Sequence, residues 1–280
     1  MSEQKTAPAA APEQASHNLF MRVAAALVLA PLAIGAAYAG GWFWTALVTL
    51  AAIGLYIEWL MVVSAPREIG VVATGAIALA ITGCCLALRE LDASLAVLVL
   101  GVVATGLLSQ RLWTAAGFLY AATALTASLL VRFDEAEGLA ALVLVLLVVW
   151  ATDIGGYFAG RRLGGPKLWP RISPNKTWAG ALGGMGASLF VAGGFAALDL
   201  GKTLPMLLLG ACLSVASQLG DLFESAVKRR FGVKDSSHII PGHGGLMDRL
   251  DGYVVAIVLA AIFGLLRGGV DGVGRALMVW

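Results

Sequence analysis

Charge is scarce in this chain. Asp, Glu, Lys and Arg make up 13% of its 280 residues, about half the share usual for a soluble globular domain, while 59% are hydrophobic and mean hydropathy is +0.86. That composition excludes a water-facing globule and points to an integral membrane protein. Cysteine is nearly lacking. Cys84, Cys85 and Cys212 all fall inside apolar runs, which excludes a disulfide framework or a zinc cluster and leaves them as small hydrophobes. Sustained apolar/polar alternation is missing, which excludes a transmembrane barrel. No GxxxxGK[ST] segment occurs, so a P-loop nucleotide site is excluded. No fixed-period repeat or second domain divides the chain.

What is present is a series of apolar runs, near 19–39, 42–63, 70–88, 93–108, 112–131, 138–158, 179–198, 204–224 and 252–270. A helix crosses a bilayer core with about 20 residues, and lipid offers no partners for backbone N–H and C=O groups, so continuous apolar runs must be helical. The expected fold class is an all-α polytopic integral membrane protein of about nine transmembrane helices. Residues 1–18, rich in Ala, Pro, Gln and Glu, read as a disordered tail. Segments 19–131 and 132–280 then form a single bundle. Ala37-Tyr38-Ala39 resembles a signal-peptidase site, but the long, weakly basic lead-in favours retention of the first run as a helix. The 35 glycines, including the Gly183-Gly184 and Gly193-Gly194 pairs, are read as close helix packing.

With nine spans, fourteen of the nineteen Lys and Arg share a side with the N-terminus, which is then cytoplasmic. Ten of those fourteen lie in two loops, 159–178 and 225–251, where basic residues can serve ligands instead. Without them the bias vanishes, so the firmer inference is that both polar loops lie at one end of the bundle. They can build one site.

Leading into the second loop, Ser214, Ser217, Asp221, Glu224 and Lys228 follow spacings of 3 and 4, one polar stripe on a helix. Acids within membrane helices are costly unless paired or bound to a cation. Asp248 and Asp251, three apart, share a face if the last span starts there. Carboxylates from separate helices beside many cations suit Mg²⁺, which uses few carboxylates and leaves positions for phosphate oxygens. Asp221 and Asp248 are the candidate metal ligands, set against a structural Asp to Lys or Arg pair. Between them lie Lys228, Arg229, Arg230 and Lys234, then Pro241-Gly242-His243-Gly244-Gly245, a turn able to aim N–H groups at an anion. His243 can donate to a phosphate oxygen; His238 and His17 are given no role. In the first loop Asp153 invites the same reading as Asp221, with pairing to Arg161 as the alternative. Ser173-Pro174 followed by Lys176-Thr177 before an apolar run reads as a helix start, where phosphate is attracted, and Lys176 is the preferred cation there.

These residues resemble a known family. Ser225, Lys228, Arg229, Lys234, Asp235, Ser237, His243, Gly244, Gly245, Asp248, Arg249 and Asp251 fit without gaps the signature of the membrane phosphatidate cytidylyltransferases, or CDP-diacylglycerol synthases. The likeness extends upstream to Asp153 with Gly155-Gly156-Tyr157, to Ser173-Pro174 with Lys176-Thr177-Trp178, and to the run from Gln218 to Ser225. In the N-terminal helices it is carried mainly by hydropathy and by Glu58-Trp59.

The resemblance implies that CTP reacts with phosphatidic acid to give CDP-diacylglycerol and pyrophosphate in an Mg²⁺-dependent step, with K⁺ as an accompanying cation. It implies catalytic roles for Asp221, Asp248, Lys228, Arg229, Lys234 and Lys176. It implies substrate contacts from Ser173, Ser225, His243, Gly244, Gly245, Arg249, Asp251 and Asp153. It further implies a bacterial inner membrane location, an active site facing the cytoplasm, a homodimer and no nucleic-acid partner. Two other functions share parts of the pattern. A CTP-dependent polyprenol or dolichol kinase would attack the γ-phosphorus, and a cation-coupled transporter would use intramembrane acids for ion coupling.

Overall fold

The computed structural model describes residues 31–64, 68–237 and 244–280. The expected tail, most of the first apolar run, Arg67, His238 and His243 lie outside them. Residues 31–39 are helical (α1). Then follow α2 (Gly41–Val62), α3 (Ile69–Ala87), α4 (Leu91–Ser109), α5 (Leu112–Arg132) and α6 (Gly138–Leu163). Strands β1 (Lys167–Trp169) and β2 (Ser173–Thr177) come next, and α7 (Trp178–Ala197), α8 (Thr203–Arg230), α9 (Met247–Gly268) and α10 (Val273–Met278) complete the chain. Among the described residues, eight helices, α2 to α9, are long and apolar enough to cross a membrane. They correspond to eight of the nine expected runs, and the chain is an all-α polytopic membrane protein.

Consecutive helices lie side by side from α2 to α9, so the chain reverses at each short connector. Polar caps at the two ends verify the alternation. Arg111, before α5, donates through Nη1 to the carbonyl of Ser64 after α2 (3.0 Å). At the other end Arg89, after α3, donates to the carbonyl of Phe133 after α5 (2.8 Å). The end holding Ser64 and Arg111 therefore also carries the α6–α7 and α8–α9 connectors.

The core runs through the N-terminal helices and into α6, α8 and α9, with Leu55, Tyr56, Trp59, Leu79, Phe118, Leu125, Leu142 and Leu213 all buried. Lipid supplies no hydrogen bonds, and several polar groups within the spans find partners on neighbouring helices. Trp59 Nε1 donates to the carbonyl of Trp113 (2.8 Å) and Trp44 Nε1 to that of Ser128 (3.2 Å). Ser128 Oγ and Tyr253 Oη lie 2.9 Å apart. Leu95, Val99, Leu100, Val103 and Leu107 on α4 are exposed, the apolar face that a helix at the edge of a membrane bundle presents to acyl chains.

Helices α6 and α7 touch closely. A Cβ added at Gly184 would lie 2.6 Å from the carbonyl oxygen of Thr152, and one at Gly183 would collide with the Ala159 methyl, so that pair packs as expected. Gly193 and Gly194 do not. The nearest atom to a Cβ at Gly193 is 3.8 Å away, and at Gly194 nothing lies within 4 Å, so close packing does not explain them.

The helices outrun the hydropathy pattern. α6 continues to Leu163 and α8 to Arg230, because backbone hydrogen bonds inside a helix are indifferent to the charge that ends an apolar run. α9 starts at Met247 rather than near 252, which puts Asp248 in its first turn. The 159–178 loop contains a two-stranded antiparallel hairpin, with Lys167 opposite Thr177 and Trp169 opposite Ser173.

Candidate active site

The polar stripe of α8 turns inward. Ser214, Ser217 and Glu224 are fully buried or nearly so, and Ser214 Oγ accepts from Thr152 Oγ1 on α6 (2.9 Å). Beyond them, Asp221 and Lys228 reach the polar end of the bundle and divide the site into two adjoining parts.

The first part joins the two loops. The hairpin carries Lys176 to α8, where its ammonium forms an ion pair with Asp221 Oδ2. Ser225 Oγ lies 3.4 Å from the other oxygen of Asp221. Asp153 on α6 and Asp251 on α9 lie within electrostatic reach of both Asp221 and Lys176. Arg161, the alternative partner for Asp153, turns instead to Tyr157 Oη (2.6 Å). Thr177, next to Lys176, caps α7 by accepting from the Gly180 N–H (3.1 Å), the helix start foreseen in the sequence. Ser173 opens β2 opposite Trp169 at the turn of the hairpin.

The second part is built around Lys228. Its Nζ lies 2.8 Å from Glu224 Oε1 and 2.6 Å from Asp248 Oδ1, so one ammonium ties α8 to α9. Although Glu224 faces this charge, neither of its oxygens accepts an aligned hydrogen bond among the described residues. The second oxygen of Asp248 accepts from the N–H groups of Ser236 (3.1 Å) and Gly245 (3.2 Å) and lies 3.0 Å from Ser236 Oγ. A Cβ at Gly245 would run into Ser236 Oγ and come within 2.7 Å of Glu58 Oε2, so only glycine lets the loop close here.

Helices α8 and α9 are held together by the same device. A Cβ at Gly220 would meet the Asp251 carbonyl oxygen, and one at Gly252 the Ser217 hydroxyl. The close crossing sets Asp221 and Asp251 on facing turns.

Arg229, Lys234 and Arg249 are exposed around this cluster, and Arg230 turns away to lie over the Trp113 ring (5.3 Å to its centre). Gly244 adopts φ 84° beside Asp248. His243 lies outside the described residues. Two acids belong to the site without having been assigned to it from sequence. Glu224 lies in the 214–228 polar stripe, where spacing alone gives it no role distinct from its neighbours. Glu58 is the one charged residue of α2, and an acid inside an apolar span was the signal that could have singled it out.

Among the described residues, Asp153, Asp221, Asp251, Glu224 and Asp248 gather near Lys176 and Lys228. A hard cation takes one or two carboxylates together with phosphate and water oxygens. Among the described residues no group of three or more His, Cys, Asp or Glu is arranged to hold a metal ion.

The chain is similar to known proteins over most of its length. The profile described as the cytidylyltransferase family matches residues 20–266. The phosphatidate cytidylyltransferase of Brucella suis biovar 1 is 41% identical over 261 residues, covering 88% of this chain and 93% of that protein. The protein of the same name from Bacillus subtilis is 48% identical over 129 residues, 44% of this chain and 47% of its own length. That from Staphylococcus haemolyticus is 48% identical over 131 residues, 46% and 50% respectively.

Proposed function

Because this chain belongs to the cytidylyltransferase family, we propose that the polar end of its bundle transfers a cytidylyl group from CTP to phosphatidic acid. The products are CDP-diacylglycerol and pyrophosphate, a step in phospholipid biosynthesis. A phosphate oxygen of the lipid forms the new bond to the α-phosphorus of CTP, and the bond from that phosphorus to the bridging oxygen breaks, releasing pyrophosphate. The nucleophile is already ionised at neutral pH, so no strong general base is needed. The difficulty is that two polyanions must meet, and catalysis rests on neutralising and aligning them.

The observation that carries this reading is the ion pair between Lys176 of the hairpin and Asp221 of α8. It joins the two polar loops where acids from α6, α8 and α9 gather. Lys228, Arg229, Lys234 and Arg249 would hold the pyrophosphate leaving group or the lipid phosphate, with Lys176 closing the site from the hairpin. Ser173, Ser225, His243, Gly244 and Gly245 would contact the phosphates, and Asp153 and Asp251 would balance the added positive charge. Asp221 and Asp248 would hold Mg²⁺, accompanied by K⁺, each exchanging the lysine it now faces. Bound there, the metal would screen phosphate repulsion and polarise the α-phosphorus. The diacylglycerol tails would stay in the bilayer while CTP enters from the water side.

We place the protein in the bacterial inner membrane with this end toward the cytoplasm, where CTP is found, and we include pairing of two copies and no nucleic-acid partner in the same proposal. The test uses purified protein with CTP, phosphatidic acid and Mg²⁺. Pyrophosphate and CDP-diacylglycerol are expected. Transfer of the labelled γ-phosphate to a lipid alcohol, with CDP released, would instead identify a lipid kinase.

A further inference from the structure

Glu58 lies near the end of α2, in the N-terminal half of the chain, and its side chain is completely buried. Its carboxylate is nonetheless fully used. Oε1 accepts from Ser237 Oγ (2.6 Å) and the Leu246 N–H (2.7 Å). Oε2 accepts from the Met247 N–H (2.7 Å) and Ser236 Oγ (3.0 Å). Two of these donors precede the 238–243 segment and two follow it. Leu246 and Met247 lie at the start of α9, where N–H groups have no partner within the helix. Glu58 thus caps α9 from a different helix, and its negative charge suits that N-terminus.

All four donors lie within two residues of Asp248 in sequence or on the strand of loop that touches it. Ser236 Oγ makes the link direct, being 3.0 Å from Glu58 Oε2 and 3.0 Å from Asp248 Oδ2. One hydroxyl therefore sits between the two carboxylates. A purely structural acid would be expected to bond into the core of its own bundle half; among the described residues, the donors to this one all belong to the frame around Asp248.

We propose that Glu58 is a positioning residue for the transfer reaction. It sets the rotation and height of the first turn of α9, and through Ser236 and Met247 it aims the Asp248 carboxylate. The inference rests on the role assigned to Asp248 under the proposed function. Carboxylates that orient a ligating residue commonly change metal affinity or rate by about 10- to 100-fold when replaced.

The test compares wild type, Glu58→Gln, Ser236→Ala and the double variant by steady-state kinetics and by amide hydrogen exchange over residues 244–250. Glutamine keeps the shape but turns an NH₂ toward the donors. The serine hydroxyls can rotate, whereas one backbone N–H of Leu246 or Met247 must lose its acceptor. In Glu58→Gln, kcat should fall about 10- to 100-fold with KM for CTP unchanged. The Mg²⁺ concentration at half-maximal rate should rise, and residues 244–250 should exchange faster. Ser236→Ala should act in the same direction, and the double variant should be no slower than the slower single, since both interrupt one chain of contacts.

Unchanged kcat in Glu58→Gln, a loss confined to KM for CTP, or losses that multiply in the double variant would overturn the inference. Should Glu58→Gln not be recovered folded, Ser236→Ala decides by the same readouts. A wild-type protein that makes no CDP-diacylglycerol overturns the reaction instead, and exchange over 244–250 still tests the placement: unchanged exchange in both single variants removes Glu58 from its role.

Discussion

Lys228 Nζ lies 2.6 Å from Asp248 Oδ1, a single contact that locks the last turn of α8 to the first turn of α9. Because the same ammonium also faces the fully buried Glu224, its removal strands two acids at once. Lys228→Ala should destabilise the protein by about 3–5 kcal/mol, the range for breaking one side of a buried ion pair. Glu224→Gln in the same chain should recover part of that loss. Thermal unfolding in detergent checks both, and a single variant melting with wild type would show that the pair contributes nothing to the fold.

Asp221→Asn should abolish turnover while leaving the protein folded, since an amide costs less to bury than a carboxylate but is a poor ligand for a hard cation. Chelation of divalent metal should silence the wild type in the same way, with Mg²⁺ restoring it. Measured kcat and gel-filtration profile are the readouts. A near-normal kcat in Asp221→Asn would remove this residue from the metal assignment.

Lys234→Ala should weaken phosphate handling without touching the helices, because the side chain is exposed in the α8–α9 connector. A hydrogen bond to a charged group contributes about 1.5–3 kcal/mol, so kcat/KM for CTP should drop about 10- to 100-fold. Unchanged KM and kcat would take Lys234 out of the site.

Gly220→Val should damage the protein at the α8–α9 crossing, where even one added carbon meets the Asp251 carbonyl oxygen. Backbone cannot yield as a flexible side chain would, so a stability loss of about 1–3 kcal/mol is expected from overpacking. Activity should fall as well, because Asp221 and Asp251 are displaced together. The matched control is Gly194→Val, whose Cβ enters open space. Equal melting temperatures for the two variants would refute the packing argument.

Some features that depend on residues close in sequence are legible in the sequence itself. Ser214, Ser217, Asp221, Glu224 and Lys228 fall on one helical face because 3.6 residues make a turn, and the inward burial of that face follows from the cost of polar groups in lipid. Thr177 could be read as a cap because a hydroxyl before an apolar run has a donor three residues ahead. The hairpin was not legible: its strands are short, one contains Pro174, and neither alternates enough to stand out. The helices extend past the apolar runs in the polar zone, to Leu163, Arg230 and Met247, since hydropathy marks where lipid stops rather than where backbone hydrogen bonding stops.

Composition and apolar run length alone dictated a helical membrane protein whose two charged loops share one end, because desolvating a peptide group leaves a chain in lipid no other choice. Which acid meets which base was settled only by the packing of the helices. Glu58 and Met247 are 189 positions apart, and no periodicity relates them. Lys176 faces Asp221, and Lys228 faces Asp248, because glycines at 220, 245 and 252 let backbones approach within reach. Such approach is a property of surfaces in contact, which exists only once the bundle has closed.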